Sequence, residues 1–248
     1  QRLNILFKLL ERNRKRIEPL AKELGATKQE VHRNLVRLEA SGLITKEKDG
    51  KYSLTTFGKT MCVEIPSILF LSQHNEYFQD HDFGCIPLKF VMRAGQLATG
   101  SHIKGITKTL QKWKSVYSNA NEYICEILSE IPEDLFDPIL KKIKNGVKFE
   151  YIVSESAIVP EGRLTRLKKS GFYELIDNGS IERKMQRSVQ TVVVLNEKEA
   201  CVFFPKNGEA DLTEMFYSDQ DVFHEWCLDY FRYCWYNSGS FQENKLKE

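Results

Sequence analysis

The chain has 248 residues, of which 42% are hydrophobic and 28% are charged, and its formal net charge is +2. This is the composition of an ordinary soluble protein, long enough for one small domain and one medium domain. The apolar stretch from Met61 to Leu71 is too short to span a membrane and contains Glu64 and Pro66, so we predict no membrane partner.

The charges are distributed unevenly along the chain. Residues 1–60 carry 14 Lys and Arg against 7 Asp and Glu, whereas the remainder carries 22 against 27. A basic first quarter on a mildly acidic body is typical of a DNA-binding head. The six cysteines form no C-x-x-C pair, so we predict buried free thiols in a reducing cytoplasm. We also predict that the protein has no cofactor.

The first elements in the chain form a predicted helix-turn-helix. An apolar helical pattern over Leu3–Leu10 precedes a second helix that starts at Ile17 and ends at Gly25, where glycine suits a left-handed residue. Thr27 then caps a third helix, and Glu30 follows at the spacing of a capping box. Such a pair of helices is the reading module of many DNA-binding proteins.

The third helix has one buried face and one polar face. Val31, Leu35 and Leu38 recur at helical spacing and predict the buried face. The polar face, with the cap, supplies the candidate DNA-binding residues of this helix: Thr27, Lys28, Gln29, His32, Arg33, Asn34 and Arg37. We expect Lys28, Gln29, Arg33 and Asn34 to read bases, with His32 and Arg37 on phosphates. The alternative is an ordinary solvated helix face.

A predicted β-hairpin follows this helix and completes a winged helix over residues 1–60. Two short strands, residues 43–45 and 52–54, flank the turn dipeptide Asp49-Gly50. Lys46, Lys48 and Lys51 surround the hairpin tip and are candidates for phosphate contacts. A solubilising loop is the alternative interpretation of these lysines.

A long helix from Phe57 to about Phe78, with Pro66 near its middle, is predicted next. It carries more apolar side chains than a connector needs, so we assign residues 61–81 to a linker and dimerisation helix of a homodimer. Packing against the second domain is the alternative. That domain is predicted over 82–238, with a tail over 239–248.

The second domain alternates helices with strands, which predicts a sheet covered by helices and an α+β fold overall. The stretch 121–131 fits either a strand or a short helix. The predicted helices cover 97–117, 134–145, 162–170 and 220–236, and the predicted strands cover 147–154, 180–185, 188–195 and 200–204. We expect the 180–185 strand to lie at an edge and the last two strands to form a hairpin across residues 196–199.

Nearly the whole chain resembles an archaeal winged-helix regulator family whose middle domain was formerly a domain of unknown function, typified by a regulator of methanogenesis. The residues that carry this resemblance are Val189, Gln190, Thr191, Glu199, Ala200, Phe204, Pro205, Asp211, Asp221, Phe223, Trp226, Phe231 and Trp235. The resemblance implies an archaeal transcriptional regulator. The middle domain is also distantly similar to a sugar-sensing domain and to the phospholipase D fold.

The similarity to phospholipase D raises an enzyme alternative. That chemistry uses a His nucleophile and a Lys in a His-x-Lys-x4-Asp pattern. His102 and Lys104 satisfy the first part, but Thr109 stands where the Asp is required. We also expect His102 to precede a helix and to lie away from the strand that carries the motif, where this chain has residues 189–191. We therefore predict no catalytic residues.

A group of metal-type ligands lies near the domain junction. Its members are His74, Glu76, Asp80, His81, Asp82 and Cys85. Some winged-helix repressors sense metals, but the spacing matches no zinc-finger pattern and short polar linkers often carry such residues, so we predict no metal site. Cys227 and Cys234 share a face of an aromatic-rich helix, which favours buried packing over a redox role.

Two basic stretches occur in the acidic domain. They comprise Arg163, Arg166, Lys168 and Lys169, then Arg183, Lys184 and Arg187. We favour a solvated helix face and a charge-protected edge strand, with a pocket for an anionic effector as the alternative. If a pocket exists, we expect Arg183, Gln190 and Asp211 to face it.

The leading hypothesis is a homodimeric DNA-binding regulator that binds a pseudo-palindromic double-stranded operator and is modulated by an unknown small effector. The alternative is a winged helix that binds protein, attached to a phosphodiesterase-like or nucleotide-acting enzyme domain.

Overall fold

The computed structural model describes residues 1–12, 14–130 and 132–246. Ile131, the last residue of the stretch predicted as strand or helix, lies outside the described residues, as do the last two residues of the predicted tail. The chain divides into two compact units, Gln1–Leu69 and Phe70–Glu248. Among the described helices, none has the length and apolar character that crossing a membrane requires.

Unit 1 is a winged helix. Its helices are α1 (Arg2–Arg12), α2 (Ile17–Leu24) and α3 (Lys28–Ala40), and its hairpin strands are β1 (Ile44–Lys46) and β2 (Tyr52–Leu54). The strands are antiparallel, and Thr45 pairs with Ser53. A separate small core holds the unit together, built around Ile5, Leu20 and Leu35, which are fully buried.

The local signals in the helix-turn-helix are confirmed. Gly25 ends α2 with φ at 59°, in the left-handed region. The Thr27 side chain accepts a hydrogen bond of 3.2 Å from the backbone N–H of Glu30, which is the first half of a capping box. This cap fixes where α3 begins, and therefore which of its side chains face solvent.

Helix α4 (Thr56–Gln73) follows the wing and continues through Pro66. It ends earlier than predicted, and a 3₁₀ turn at Tyr77–Gln79 follows it. The predicted linker over 61–81 is therefore not one element. The boundary between the two units falls inside α4, between Leu69 and Phe70.

In unit 2, the described residues form an eight-stranded mixed sheet. Its strands include β3 (Ser101–Lys104), β4 (Tyr123–Leu128), β5 (Lys148–Ser154), β6 (Ile181–Gln186), β7 (Val192–Asn196), β8 (Ala200–Phe203), β11 (Glu214–Ser218) and β12 (Gly239–Ser240), and the small pair β9 (Pro205–Lys206) and β10 (Glu209–Ala210) stands apart. The order across the sheet is β12-β6-β5-β4-β7-β8-β11-β3. β4, β5 and β6 are parallel, and the other pairs are antiparallel.

Both faces of the central strands are covered, because every residue of β7 and β8 is buried. The helices that cover or flank the sheet are α5 (Leu88–Val91), α6 (Ile106–Asn119), α7 (Phe136–Lys144), α8 (Arg163–Ser170), α9 (Phe172–Asp177) and α10 (Asp221–Tyr236). α10 packs on β7 and β8, and its fully buried Trp226 donates a hydrogen bond to the Phe90 carbonyl. Cys227 and Cys234 of this helix are buried, as expected.

Several predictions for unit 2 are confirmed and two need correction. The β7–β8 hairpin forms, and the Asn196 side chain holds its turn by accepting from the backbone N–H groups of Lys198 and Glu199. The helix predicted over 97–117 is wrong, because strand β3 interrupts it and Gly105, with φ at 99°, turns the chain into α6. The predicted edge strand, β6, has β12 on its outer side.

Candidate nucleic-acid interface

The exposed face of α3 collects most of the predicted DNA-binding side chains. Lys28, Gln29, His32, Arg33 and Arg37 are all exposed. The helix has 13 residues, so it is roughly 20 Å long at about 1.5 Å per residue. It is therefore long enough to lie in the major groove of B-DNA, which is about 12 Å wide.

Arg33 and Arg37 are the strongest candidates on this face. They lie four residues apart, so they project from the same side of α3. Within the described part of the chain, neither guanidinium has an acidic partner. A guanidinium that is exposed and unpaired retains all its hydrogen-bond donors for a carboxylate, a phosphate or a guanine edge.

The contacts of Asn34 do not fit its predicted role in reading bases. Its side-chain amide is half-buried and donates to the Gln1 side chain and to the Glu30 carbonyl, both at 3.0 Å. Both donors of this amide are therefore committed inside unit 1. Reading a base with Asn34 would require breaking these contacts, so it is a weaker candidate than Arg33.

A groove of about 620 Å³ runs between the start of α3 and the wing. Its basic side chains are Arg16, Lys28, His32 and Lys46. Arg16 did not emerge from the sequence, although it ends a basic run before α2 that could have indicated it. Its guanidinium lies 3.4 Å from the Asp49 carbonyl at the wing tip, so it joins the wing to the first helices.

The wing lysines differ in how free they are. Lys51 pairs with Asp49 at 2.7 Å, and its hydrogen bonds hold the pKa of that carboxyl below its ordinary value. Lys46 lies over the Tyr52 ring at 5.9 Å. Lys48 is exposed and, among the described residues, has no acidic partner. Lys48 is therefore the lysine of the wing most available to a phosphate.

Lys28 forms an ion pair with Glu18 at 3.1 Å, and both side chains are largely exposed. A backbone hydrogen bond and the Lys28 ammonium hold the pKa of Glu18 below its ordinary value. Exposed pairs of this kind contribute little to stability. The pair can therefore open at low cost when another acceptor competes for the Lys28 ammonium.

The structure does not bring the three predicted effector residues together. Arg183 lies on β6, and Asp211 lies just before β11. β6 and β11 are separated by β5, β4, β7 and β8, which corresponds to about 24 Å at ~4.8 Å per strand step. Arg183 therefore cannot line the same small pocket as Asp211.

Each of these residues has a partner inside unit 2. The Arg183 guanidinium pairs with Glu243 at 3.1 Å. Gln190 accepts from the Cys85 backbone N–H and donates to the Gly208 carbonyl. Asp211 lies 3.0 Å from Nε2 of His81 and accepts from the backbone and side chain of Thr213. Arg183 ties the C-terminal segment to β6, whereas Gln190 and Asp211 lie in loops and hold other loop residues.

The group of metal-type ligands is also used internally. His81 is buried and stacked on Tyr77 at 3.8 Å, with Nδ1 facing Asp80 and Nε2 facing Asp211. Asp82 accepts from the Gly84 backbone N–H. Over residues 1–12, 14–130 and 132–246, no three His, Cys, Asp or Glu side chains are grouped as metal ligands would be.

The surroundings of His102 and Lys104, the His-x-Lys pair, differ from those of a phosphate-binding site. His102 lies on the edge strand β3 and precedes α6, as expected, although the strand itself was not predicted. Its ring is stacked on Phe216 and Nε2 lies 2.8 Å from the Glu214 carboxylate, while burial lowers its pKa. Lys104 faces the same carboxylate at 3.5 Å. A carboxylate in this position would repel a phosphate.

The winged helix matches a known protein family, and the whole chain has similar folds among solved structures. The model of the HVO_A0114 family matches residues 1–57. No curated protein matches the chain. TrmBL2, an archaeal chromatin protein, is 13% identical, with 95% of this chain and 92% of that chain covered and a TM-score of 0.44.

Two further structures are similar to part of the chain. NucT from Helicobacter pylori is 13% identical over 57% of this chain and 98% of that chain, with a TM-score of 0.44. Nuc from Salmonella typhimurium, a phospholipase D family member, is 13% identical over 58% of this chain and 99% of that chain, with a TM-score of 0.43. Similarity at this level concerns the general fold and carries no information about activity.

Proposed function

We propose that the protein is a DNA-binding transcriptional regulator that acts as a homodimer and is modulated by an effector bound to unit 2. The observation that carries the proposal is the exposed face of α3, where Arg33 and Arg37 stand unpaired among the described residues beside a basic groove and the wing. The protein's net charge is small, so this concentration of cations in unit 1 favours a polyanionic partner.

In this proposal α3 enters the major groove of double-stranded DNA. Arg33, with Gln29 and Lys28, reads base edges, while Arg37 and Lys48 contact phosphates. Arg16 and Lys46 line the groove between helix and wing and add to the positive field. Two copies would bind two half-sites spaced by about one helical turn, or roughly 34–36 Å.

The first experiment selects genomic fragments on the full chain and then measures affinity for the best fragment at two salt concentrations. Arg33→Ala should weaken binding by about 1–3 kcal/mol and relax selectivity at one position of the site. Lys48→Ala should weaken binding to all sequences and reduce the slope of affinity against salt by about one per bound copy.

Lys144→Ala is the matched control, because it removes one exposed positive charge from unit 2. It should leave both the affinity and the salt slope unchanged. Failure to enrich any fragment, or equal losses from Lys144→Ala and Arg33→Ala, would contradict the α3 assignment. Either result would favour the alternative that the winged helix binds protein.

The dimer is proposed to form through α4. Phe57, Met61, Ile65 and Ile68 lie within about 80° of each other around this helix, at ~100° per residue. Phe57 is 56% exposed and Ile68 is 65% exposed. An exposed apolar stripe on a long helix fits the self-complementary contact of a two-fold dimer.

A matched pair of variants tests this contact. Ile68→Glu places a charge in the stripe and should yield monomers in light-scattering measurements. Val63→Glu places the same charge on the opposite side of α4, where Val63 is 66% exposed. It should leave the dimer intact. If both variants behave alike, the stripe is not the dimer contact.

A further inference from the structure

A small cavity of about 50 Å³ lies inside unit 2, between β4, β5 and the helices α6, α7, α8 and α9. Its wall is largely apolar, and six of its 13 lining residues are aromatic: Trp113, Tyr117, Phe136, Phe149, Tyr151 and Phe172. Since a water needs at least about 10–15 Å³ by this kind of measure, the cavity holds roughly three to five water-sized groups. It is therefore the size of a very small organic molecule.

One carboxylate faces this aromatic wall. Glu126 is in the middle of β4, is 1% exposed and lines the cavity. Its side chain accepts a hydrogen bond from Nε1 of Trp113 at 2.9 Å, and the Tyr117 hydroxyl also hydrogen-bonds it. Among the described residues, no cation forms an ion pair with Glu126.

The positive group of the cavity is already neutralised. Arg163 lines the cavity from α8, but its guanidinium forms an ion pair with Glu243 of the C-terminal segment. The charge left without a counter-charge is therefore that of Glu126. An ionised carboxylate buried without an ion-pair partner is costly, and proteins retain such groups chiefly at functional sites.

We propose that this cavity is a binding site for a small organic ammonium ion, whose charge lies against the Glu126 carboxylate and whose carbon atoms contact the aromatic wall. Aromatic faces attract cations, and a carboxylate beneath them supplies the counter-charge. Only small ammonium ions fit, with roughly three to five heavy atoms in the available space. An anion is disfavoured, because it would have to displace Glu243 from Arg163.

The ligand has a route into the cavity. A second cavity of about 100 Å³ adjoins it and shares Phe136, Arg163 and Leu167 with it. Glu133 and Glu161 also line this outer cavity. Arg166 lines it as well and pairs with Glu133 at 3.1 Å. Among the described residues Glu161 has no cationic partner, so its carboxylate favours the entry of a cation over that of an anion.

Binding should depend on pH through Glu126. Burial raises the pKa of Glu126 to about 7. The other titratable groups close to it are Tyr117, Tyr151, Cys125 and Cys201, and burial raises the pKa of each of them, so they remain neutral near pH 7. Arg163 also lines the cavity and forms an ion pair with Glu243. A quaternary ammonium ion should therefore bind about tenfold more tightly at pH 8 than at pH 6.

The test uses the full chain, tetramethylammonium as the cation, and tert-butanol and acetate as the neutral and anionic probes. The readout is the indole N–H resonance of Trp113, assigned with Trp113→Phe. Tetramethylammonium should shift this resonance saturably, with affinity about tenfold lower at pH 6 than at pH 8. Tighter binding of either other probe, no saturable shift, or equal affinity at both pH values would overturn the proposal.

Two matched variants complete the test. Glu126→Gln keeps the shape and removes the charge, and should weaken tetramethylammonium binding at least about tenfold. Glu150→Gln makes the same change on β5, where Glu150 contacts the thiol of Cys125. Cys125 directly precedes Glu126 on β4, so Cys125 and Glu150 lie on the opposite face of the sheet from Glu126. It should leave binding unchanged. Undiminished binding by a folded Glu126→Gln variant would also overturn the proposal.

The regulatory meaning of the site rests on the proposed function, whereas binding itself does not. DNA affinity is therefore measured separately on the same protein, in tetramethylammonium chloride and in NaCl at equal ionic strength. Loss of ligand binding with intact DNA binding refutes only the cavity proposal. Ligand binding in a chain that selects no DNA refutes only the regulator.

Discussion

Replacing Glu126 by Gln should stabilise unit 2, and more strongly at high pH than at low pH. Burial raises the pKa of this carboxyl from its ordinary 4.5 to about 7, so between those values the folded chain binds more protons than the unfolded chain. The free energy of unfolding therefore falls as the pH rises through this interval. The penalty is small below pH 4.5 and complete above pH 7.

The two pKa values set the size of the effect. Ionisation of Glu126 costs the folded state about 0.8 kcal/mol at pH 5 and about 3.3 kcal/mol at pH 8. Gln cannot ionise, so the gain from Glu126→Gln should be about 2.5 kcal/mol larger at pH 8 than at pH 5. Any change in hydrogen bonding to Trp113 is the same at both pH values and cancels from this difference.

Urea unfolding followed by tryptophan fluorescence is the appropriate assay. The three tryptophans, Trp113, Trp226 and Trp235, all belong to unit 2, so their emission reports on that unit alone. Glu122→Gln, an exposed position just before β4, is the control and should match the parent at both pH values. An equal gain for Glu126→Gln at pH 5 and pH 8 would refute the reasoning.

Two further predictions concern unit 1. Thr27→Ala removes the acceptor for the Glu30 backbone N–H and should destabilise α3 by about 1 kcal/mol. The first amides of α3 should then exchange hydrogen faster. Thr45→Ala, on the exposed wing, should leave the exchange rates of these amides unchanged. Gly58→Ala would place a Cβ 1.9 Å from the Leu43 carbonyl oxygen, so it should cost about 3 kcal/mol or more and lower the temperature at which unit 1 loses helical circular dichroism. Unchanged stability in Gly58→Ala would mean that α4 shifts freely away from the wing.

The winged helix could be predicted from the sequence because its determinants are local. Thr27 and Glu30 are three residues apart, and Asp49-Gly50 lies between the two strands that it joins. Each signal acts within one turn of chain, so composition and spacing suffice to place the helix and the wing. The polar face of α3 follows from the periodicity of its buried residues, Val31, Leu35 and Leu38.

The errors in unit 2 come from contacts that are distant in sequence. β3 lies at the edge of the sheet and is held by β11, more than 100 residues later, and its residues lack a buried–exposed alternation. Nothing local distinguishes it from the helix that follows. The same reason explains why Arg183 and Asp211 were assigned to an effector pocket. Their partners, Glu243 and His81, are distant in sequence and could not be identified by spacing.

The burial of Glu126 could be predicted only in part from the sequence. A glutamate flanked by apolar residues in the stretch 121–131 is a visible signal, but its meaning depends on whether that stretch is an edge strand or a central one. β4 lies between β5 and β7, and five of its six residues are buried. Once a strand is covered on both faces, a glutamate in it must be buried, and only the topology supplies that fact.

The proposed DNA interface and the proposed ammonium site belong to different units, and α4 is the helix that runs from one unit into the other. If the ammonium ion changes DNA affinity by some factor, DNA must change ammonium affinity by the same factor, since coupling between two binding equilibria is reciprocal. Titrating Trp113 with and without bound DNA therefore measures the coupling independently of the DNA assay. Ile68→Glu, which is expected to be monomeric, tests how the two sites are coupled. If each ligand still changes the affinity for the other in this variant, the coupling passes along α4 within one chain. If both changes disappear, the coupling requires the dimer.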